Sequence, residues 1–154
     1  MDGKRVDESR IVLTQLMNVT DANVLGNVHG GLIMKLCDEA GGMTAAKHAR
    51  RAVVTVAVDS MNFLSRVRIG DLLTVTAEVT WTGRTSLETR VYALAENVLT
   101  GEVTHTNTAF FVYVGLDQNG RPTPVPPLIP QTETEKRRYT EAQVRQKERL
   151  QARD

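Results

Sequence analysis

The run "GNVHGGLIMKLCDEAGG", residues 26–42, decides how the rest of the chain is read. Ile33, Leu36, Cys37, Ala40 and Thr44 recur on one side at helical spacing, which predicts one long helix over 30–48, about five turns. Gly30 and Gly31 open that helix, where the first backbone N–H groups have no intrahelical acceptor. Glycine admits a ligand close to the main chain, and the helix dipole adds partial positive charge there. Such a start can hold a phosphate or the oxygen of a polarised carbonyl. Neither GxxxxGK[ST] nor a strand followed by GxGxxG is present, which favours the carbonyl.

Asp38 is rotated away from the Ile33–Cys37–Ala40 side, and Glu39 points elsewhere, so the two are not a carboxylate dyad. The helix pattern alone fits a solvated flank residue as well as a base acting on water, and both readings stand at this point. Other nucleophilic or metal chemistry has little support. There is no GxSxG elbow, and His29, His48 and His105 lack zinc-ligand spacing.

Outward from the helix the period changes. "RIVLTQLMN" (10–18) predicts a first strand, and "VTDANVLGNVHGG" (19–31) a long connection. "VVTVAVDSMNF" (53–63) is β-branched, and "LTVTAEVTW" (73–81) alternates, with Leu73, Val75, Ala77, Val79 and Trp81 expected on one face. "LETRVYALAE" (87–96) and "VTHTNTAFFVYVGL" (103–116) follow after hairpin-sized breaks. Four strands in meander order predict antiparallel neighbours, and one apolar helix is available to cover the sheet. The expected class is α+β: a long central helix wrapped by an antiparallel sheet of five to six strands.

"RPTPVPPLIPQ" (121–131) carries five prolines and reads as an extended strap. Residues 132–150 are highly charged, with only Tyr139, Ala142, Val144 and Leu150 apolar, which predicts a solvated helix or one docked on a neighbouring subunit. The organisation expected is one domain over 1–130 with a charged helical tail over 131–154. The 154 residues have a formal net charge of +1 and 41% hydrophobic content, with no bias toward nucleic acid. The lone cysteine, Cys37, reads as a packed core thiol. No stretch has the length of a membrane span or the pattern of a signal peptide, so a cytoplasmic location is expected.

The run "DANVLGNVHGGLIMKLCDEAGG" (21–42) resembles the signature of the hotdog-fold acyl-CoA thioesterases, in particular the cytosolic brain-type acyl-CoA hydrolases and their bacterial YciA-like relatives. The likeness continues through "VDSMNFLSRVRIGD", "ENVLTGE" and "FVYVGLDQNGRPTPVPPLIP" into the charged tail. It implies a hotdog fold with a curved antiparallel bun, pairing of two hotdogs edge to edge, and trimers of such dimers. It also implies hydrolysis of acyl-CoA to free fatty acid and CoA with no metal or cofactor, CoA being part of the substrate.

By the same resemblance, Asn23 and Asp38 match the family's catalytic pair, contributed from opposite subunits. Asp38 would activate water or act as a nucleophile, and Asn23 would orient the water or bond the thioester carbonyl. Gly30 and Gly31 would supply main-chain donors, and His29 would fix the loop by hydrogen bonding. Phe63 and Leu64 are expected along the acyl tunnel, and Arg66, Arg68, Arg84 and Ser86 against pantetheine or nucleotide phosphates. Two other classes stand beside this one: a non-catalytic acyl-CoA sensor, and a hydroxyacyl-thioester dehydratase on the same fold. The Asn-plus-Asp set favours hydrolysis over the dehydratase.

Overall fold

The computed structural model of the chain describes residues 1–59 and 65–152. Its elements are β1 (Lys4–Arg5), β2 (Ile11–Leu16), α1 (Gly30–Ala49), β3 (Val53–Asp59), β4 (Asp71–Thr82), β5 (Ser86–Asn97), β6 (Val103–Gly115), β7 (Leu128–Ile129) and α2 (Glu133–Ala152).

The spacing that predicts α1 is the spacing it buries. Ile33, Leu36, Cys37, Ala40, Gly41, Thr44, Ala45, His48 and Ala49 all face inward. They lie against Leu73, Val75, Ala77 and Val79 of β4 and Leu87, Val91, Ala93 and Ala95 of β5, all buried. Small residues on both sides let helix and sheet approach closely, and the Thr44 hydroxyl donates to the Ala77 carbonyl at 3.2 Å. Burial pushes the Cys37 thiol above its usual pKa while the Asn107 amide offsets part of that, as suits a core thiol. The helix ends at Arg50, which takes a left-handed conformation at φ 55°.

Five strands form one antiparallel sheet in the order β2-β4-β5-β6-β3. The expected meander holds only for β4 to β6. Tight hairpins tie those strands to their neighbours, whereas the longer 60–70 connection frees β3 to cross to the far edge and pair with β6. The expected facing of Trp81 is also overturned. A β-bulge between Val79 and Trp81 adds a residue, so Trp81 pairs with Glu88 on the outer face and Thr82 turns inward. A second bulge, between Thr55 and Ala57 in β3, puts Thr55 opposite Tyr113 and Val58 opposite Phe111. Both residues thereby share the inner face, although normal alternation would separate them.

The proline-rich segment runs as the extended strap its composition predicts. Val125, Pro126 and Leu128 are buried, and β7 pairs in parallel with β1. His48 fastens it, with Nε2 2.8 Å from the Pro126 carbonyl.

The charged tail is neither solvated all round nor in need of another subunit to settle it. Helix α2 packs on the outer face of its own sheet, burying Ala142 and Gln146. Its anchor is Glu88, a carboxylate with 0% exposure. Arg145 donates to it through Nη2 at 2.8 Å and Nε at 3.1 Å, Gln146 at 2.9 Å and Thr80 at 2.6 Å. Arg145 also lies 3.6 Å over the ring of Phe110. A strand carboxylate with this many donors needs the helix; removing Arg145 would strand a buried charge, a loss of roughly 3–5 kcal/mol in comparable pairs.

Candidate active site

Asp38 extends from the exposed flank of α1 beside the sheet edge formed by β3. The concavity there, about 510 Å³, is lined by Gly31, Met34, Lys35, Asp38, Thr55, Val58 and Phe111. Most of that lining is apolar, so a carboxylate and a hydroxyl stand at the wall of a cavity able to take an acyl chain or a thioester arm. A larger concavity of about 640 Å³ lies around Arg50, Arg51 and residues 116–119, and it contains none of the candidate residues. Chemistry, not volume, singles out the smaller one.

Beneath it lies Tyr113, only 1% exposed and stacked on Phe111 at 6.3 Å between centroids. Its hydroxyl donates to the Asp38 backbone carbonyl at 3.5 Å. Burial drives the phenol well above its usual pKa and the Asp38 charge adds to this, while the hydroxyls of Thr89 and Thr55 pull it partway back. Thr89 Oγ1 makes no hydrogen bond of ordinary geometry among the described residues, though it lies near enough for the phenol to feel it.

Helix α1 starts at Gly30, as its spacing predicts. His29 is the N-cap in an extended conformation without a side-chain cap bond. Among the described residues no acceptor meets the Gly30 or Gly31 N–H. His29 itself does not act as expected: its side chain makes no hydrogen bond among the described residues, and the loop is held by its backbone N–H donating to the Asp21 carbonyl at 2.9 Å.

Asn23 is exposed, but half of its amide is already committed. Its Oδ1 accepts from Leu25 N at 2.9 Å and from Asn27 N at 3.2 Å, which folds the 23–27 turn. Only Nδ2 is left to work, so Asn23 is equipped to donate to a carbonyl or to the oxygen of a water.

The remaining candidates divide. Arg66 and Gly30 share a concavity of about 300 Å³ with Asn27, Val28, Ile33, Ser65 and Val67 at the helix start. Arg66 and Arg68 line an adjoining polar one of about 380 Å³ with Asp71, Asn97 and Glu102. Arg84 and Ser86 lie at the opposite end of β5 from Asn97, roughly 35 Å away at strand rise, so one chain does not bring the two sets together. Phe63 and Leu64 lie outside the described residues.

Sequence reasoning missed Thr55 and Tyr113. Within "VVTVAV" nothing marks Thr55 as different from any other strand residue, and the bulge that follows it brings Val58 to the same cavity.

Comparison with known proteins bears on the same residues. The family model of the thioesterase superfamily matches residues 25–102. The cytosolic acyl coenzyme A thioester hydrolase of Rattus norvegicus is 39% identical over 142 residues, 91% of this chain and 37% of its own length, so the chain spans little more than a third of that relative. An apo-hexameric acyl-CoA thioesterase superposes at a TM-score of 0.95 with 42% identity, covering 99% of this chain and 97% of that one. An acyl-CoA hydrolase from Staphylococcus aureus in complex with butyryl coenzyme A, coenzyme A and coenzyme A disulfide superposes at 0.90 with 31% identity, covering 97% and 92%. Single variants of that enzyme replace an Asn, an Asp and a Thr by Ala, and those three positions have the same spacing as Asn23, Asp38 and Thr55.

Proposed function

Because this chain belongs to the thioesterase superfamily and has its hotdog fold, we propose that it hydrolyses acyl-CoA thioesters, with Asp38 as the base toward water. The observation that carries this reading is the cavity wall where the Asp38 carboxylate and Thr55 meet an apolar lining.

The chemistry asks little beyond these groups. A water oxygen adds to the thioester carbonyl while Asp38 takes its proton. Charge building on the carbonyl oxygen is met by the Asn23 Nδ2 and by the Gly30 and Gly31 N–H groups at the positive end of α1. The C–S bond then breaks. The CoA thiolate is a good leaving group and needs neither a metal nor a cofactor, and the proton on Asp38 passes to product or solvent.

One chain does not hold all of this in one place. Gly31 and Asp38 are seven residues apart on α1, about 10 Å of helix rise, too far for one reacting carbon. We therefore take the site to be shared, with the glycines and Asn23 of one chain facing Asp38 of a second; the roughly 10 Å between Gly31 and Asp38 supports this reading. Strand β3 offers the seam. Among the described residues it pairs only with β6, and Val54, Val56 and Val58 are exposed along it. A two-fold that pairs two β3 edges removes both liabilities and yields two equivalent sites. The hexameric form of the relative at 42% identity supports a dimer repeated three times. In this reading Arg66 and Arg68, which line the concavities at the helix-start end, would take the phosphates of CoA, and the apolar seam the acyl chain. The cytosolic acyl coenzyme A thioester hydrolase among its relatives supports action in the cytoplasm. No helix among the described residues is long and apolar enough to cross a membrane.

Release of free thiol from a chain-length series of acyl-CoA esters tests this directly. Turnover is expected, and Asp38→Asn should lower kcat by ~10²–10⁴-fold while CoA still binds. Binding of acyl-CoA by the wild-type protein without thiol release would replace the enzyme reading with a sensor.

A further inference from the structure

We propose that Val24 and Leu25, at the tip of the turn that carries Asn23, close the acyl pocket of a second copy of this chain and set which acyl chains are hydrolysed. The inference rests on the shared site proposed above, with Asn23 of one chain facing Asp38 of the other.

The turn is built, yet its tip packs on nothing in its own chain. Asn23 N donates to the Asn27 carbonyl at 2.8 Å and Gly26 N to the Asn23 carbonyl at 3.0 Å. Asn23 Oδ1 accepts from Leu25 N and Asn27 N, and Ala22 and Val28 pair below. Gly26 supplies the φ of 81° that closes the turn, which a side chain would resist. So the backbone is held, while Val24 is fully exposed and Leu25 is 80% exposed. A single exposed leucine carries no information. Here two apolar residues follow directly on the amide assigned to the thioester carbonyl, in a turn that fixes where they stand.

The two ends of the turn differ in character. Its base is polar: Asn27 bridges to Arg68, and Arg66 and Arg68 line the concavities assigned above to the CoA phosphates. The tip, residues 24–26, lies at the other end. A CoA ester whose carbonyl meets Asn23 Nδ2 thus has its phosphates on the base side and its acyl carbons on the tip side. Leu25 is one hydrogen bond from the Asn23 side chain, so the carbons it meets are those nearest the thioester. Opposite them, on the second chain, Met34, Val58 and Phe111 line the cavity beside Asp38. Val24 and Leu25 complete that apolar lining, and each further methylene buried between the two chains favours binding.

Leu25→Ala and the double variant Val24→Ala/Leu25→Ala test this by kcat/KM over acetyl-, butyryl-, octanoyl- and palmitoyl-CoA. Leu99→Ala is the control. Leu99 is 93% exposed in a second Asn-Val-Leu turn, with its N–H on Asn97 Oδ1 at 3.0 Å, and that turn carries no catalytic candidate. None of the bonds that hold the 23–27 turn uses the Leu25 side chain, so the fold should be kept. The double variant should leave acetyl-CoA within twofold of wild type and lower octanoyl-CoA roughly tenfold, the low end for a lost apolar contact in a pocket. Leu99→Ala should leave the ratio of the two substrates unchanged. An equal fall at every chain length, no fall, or a like shift in Leu99→Ala makes the tip merely structural and overturns the proposal. In mixed dimers of Asn23→Asp and Asp38→Asn chains, Leu25→Ala should shift the ratio only on the Asp38→Asn chain, which supplies the intact Asn23; a shift from the other chain contradicts it. If Asp38→Asn itself turns over normally, the site reading fails and this inference with it. An inactive Asp38→Asn beside an unchanged ratio in the double variant overturns this inference alone.

Discussion

Gly41 lies over Tyr113 so closely that a methyl group on its Cα would come within 2.6 Å of the phenol oxygen. Gly42, the next residue, has open space where its Cβ would be. An interior helix glycine is normally about 1 kcal/mol worse than alanine, so the two positions should answer the same substitution with opposite signs. Gly42→Ala should stabilise by up to about 1 kcal/mol. Gly41→Ala should destabilise by about 1–3 kcal/mol through overpacking, and adding Tyr113→Phe should recover part of that. Denaturant unfolding at one protein concentration measures all four chains. A stabilising Gly41→Ala would mean the hydroxyl is not held beneath the helix.

His48 makes folding sensitive to acid. It is fully buried, Nε2 is used on the Pro126 carbonyl, and Nδ1 has no partner among the described residues. Burial holds its pKa below the usual 6.5; Lys4 pushes the same way, while the Pro126 carbonyl and Glu8 oppose. The folded chain therefore refuses a proton that the unfolded chain accepts below about pH 6.5. Stability should be intact at neutral pH and fall as pH drops from there toward the folded value, with a slope of at most about 1.4 kcal/mol per pH unit from this residue. His48→Gln should flatten that part of the profile, and an unchanged slope would assign it to other groups.

Asn23 has two jobs that substitutions can separate. Its Oδ1 folds the 23–27 turn, and its Nδ2 is free for the thioester. Asn23→Asp keeps the acceptor and removes the donor, whereas Asn23→Ala removes both. Asn23→Asp should lower kcat by ~10²–10³-fold, as loss of one oxyanion donor does, with the turn intact. A rise in KM at constant kcat would make Asn23 a binding residue and leave the oxyanion to the glycines.

What was legible in the sequence tracks how local each signal is. Helix α1 could be read to within a residue because every fourth or third position is apolar and the glycines mark its start. The same run held Asp38, Gly30 and Gly31, but the helical period left Asp38 as much a solvated flank residue as a base, and its role came from the resemblance to the family signature. Bulges were invisible, since an inserted residue leaves no mark in an alternating run; this hid the outward turn of Trp81 and the placing of Val58 on the same face as Thr55. The edge position of β3 was hidden because it depends on a long connection and on which strand is left unpaired. Nothing in "LETRVYALAE" singles out Glu88, and only Arg145, 57 residues later, shows why α2 lies on its own sheet.

The shared site is the central claim, and complementation measures it. Chains carrying Asn23→Asp and chains carrying Asp38→Asn, each inactive alone, are mixed and allowed to exchange subunits, and thiol release from acyl-CoA is followed. Random exchange makes half of the dimers mixed, each with one intact site of two, so about a quarter of wild-type activity should return. Activity that stays at background, with exchange confirmed by mass, would contradict a site divided between two chains.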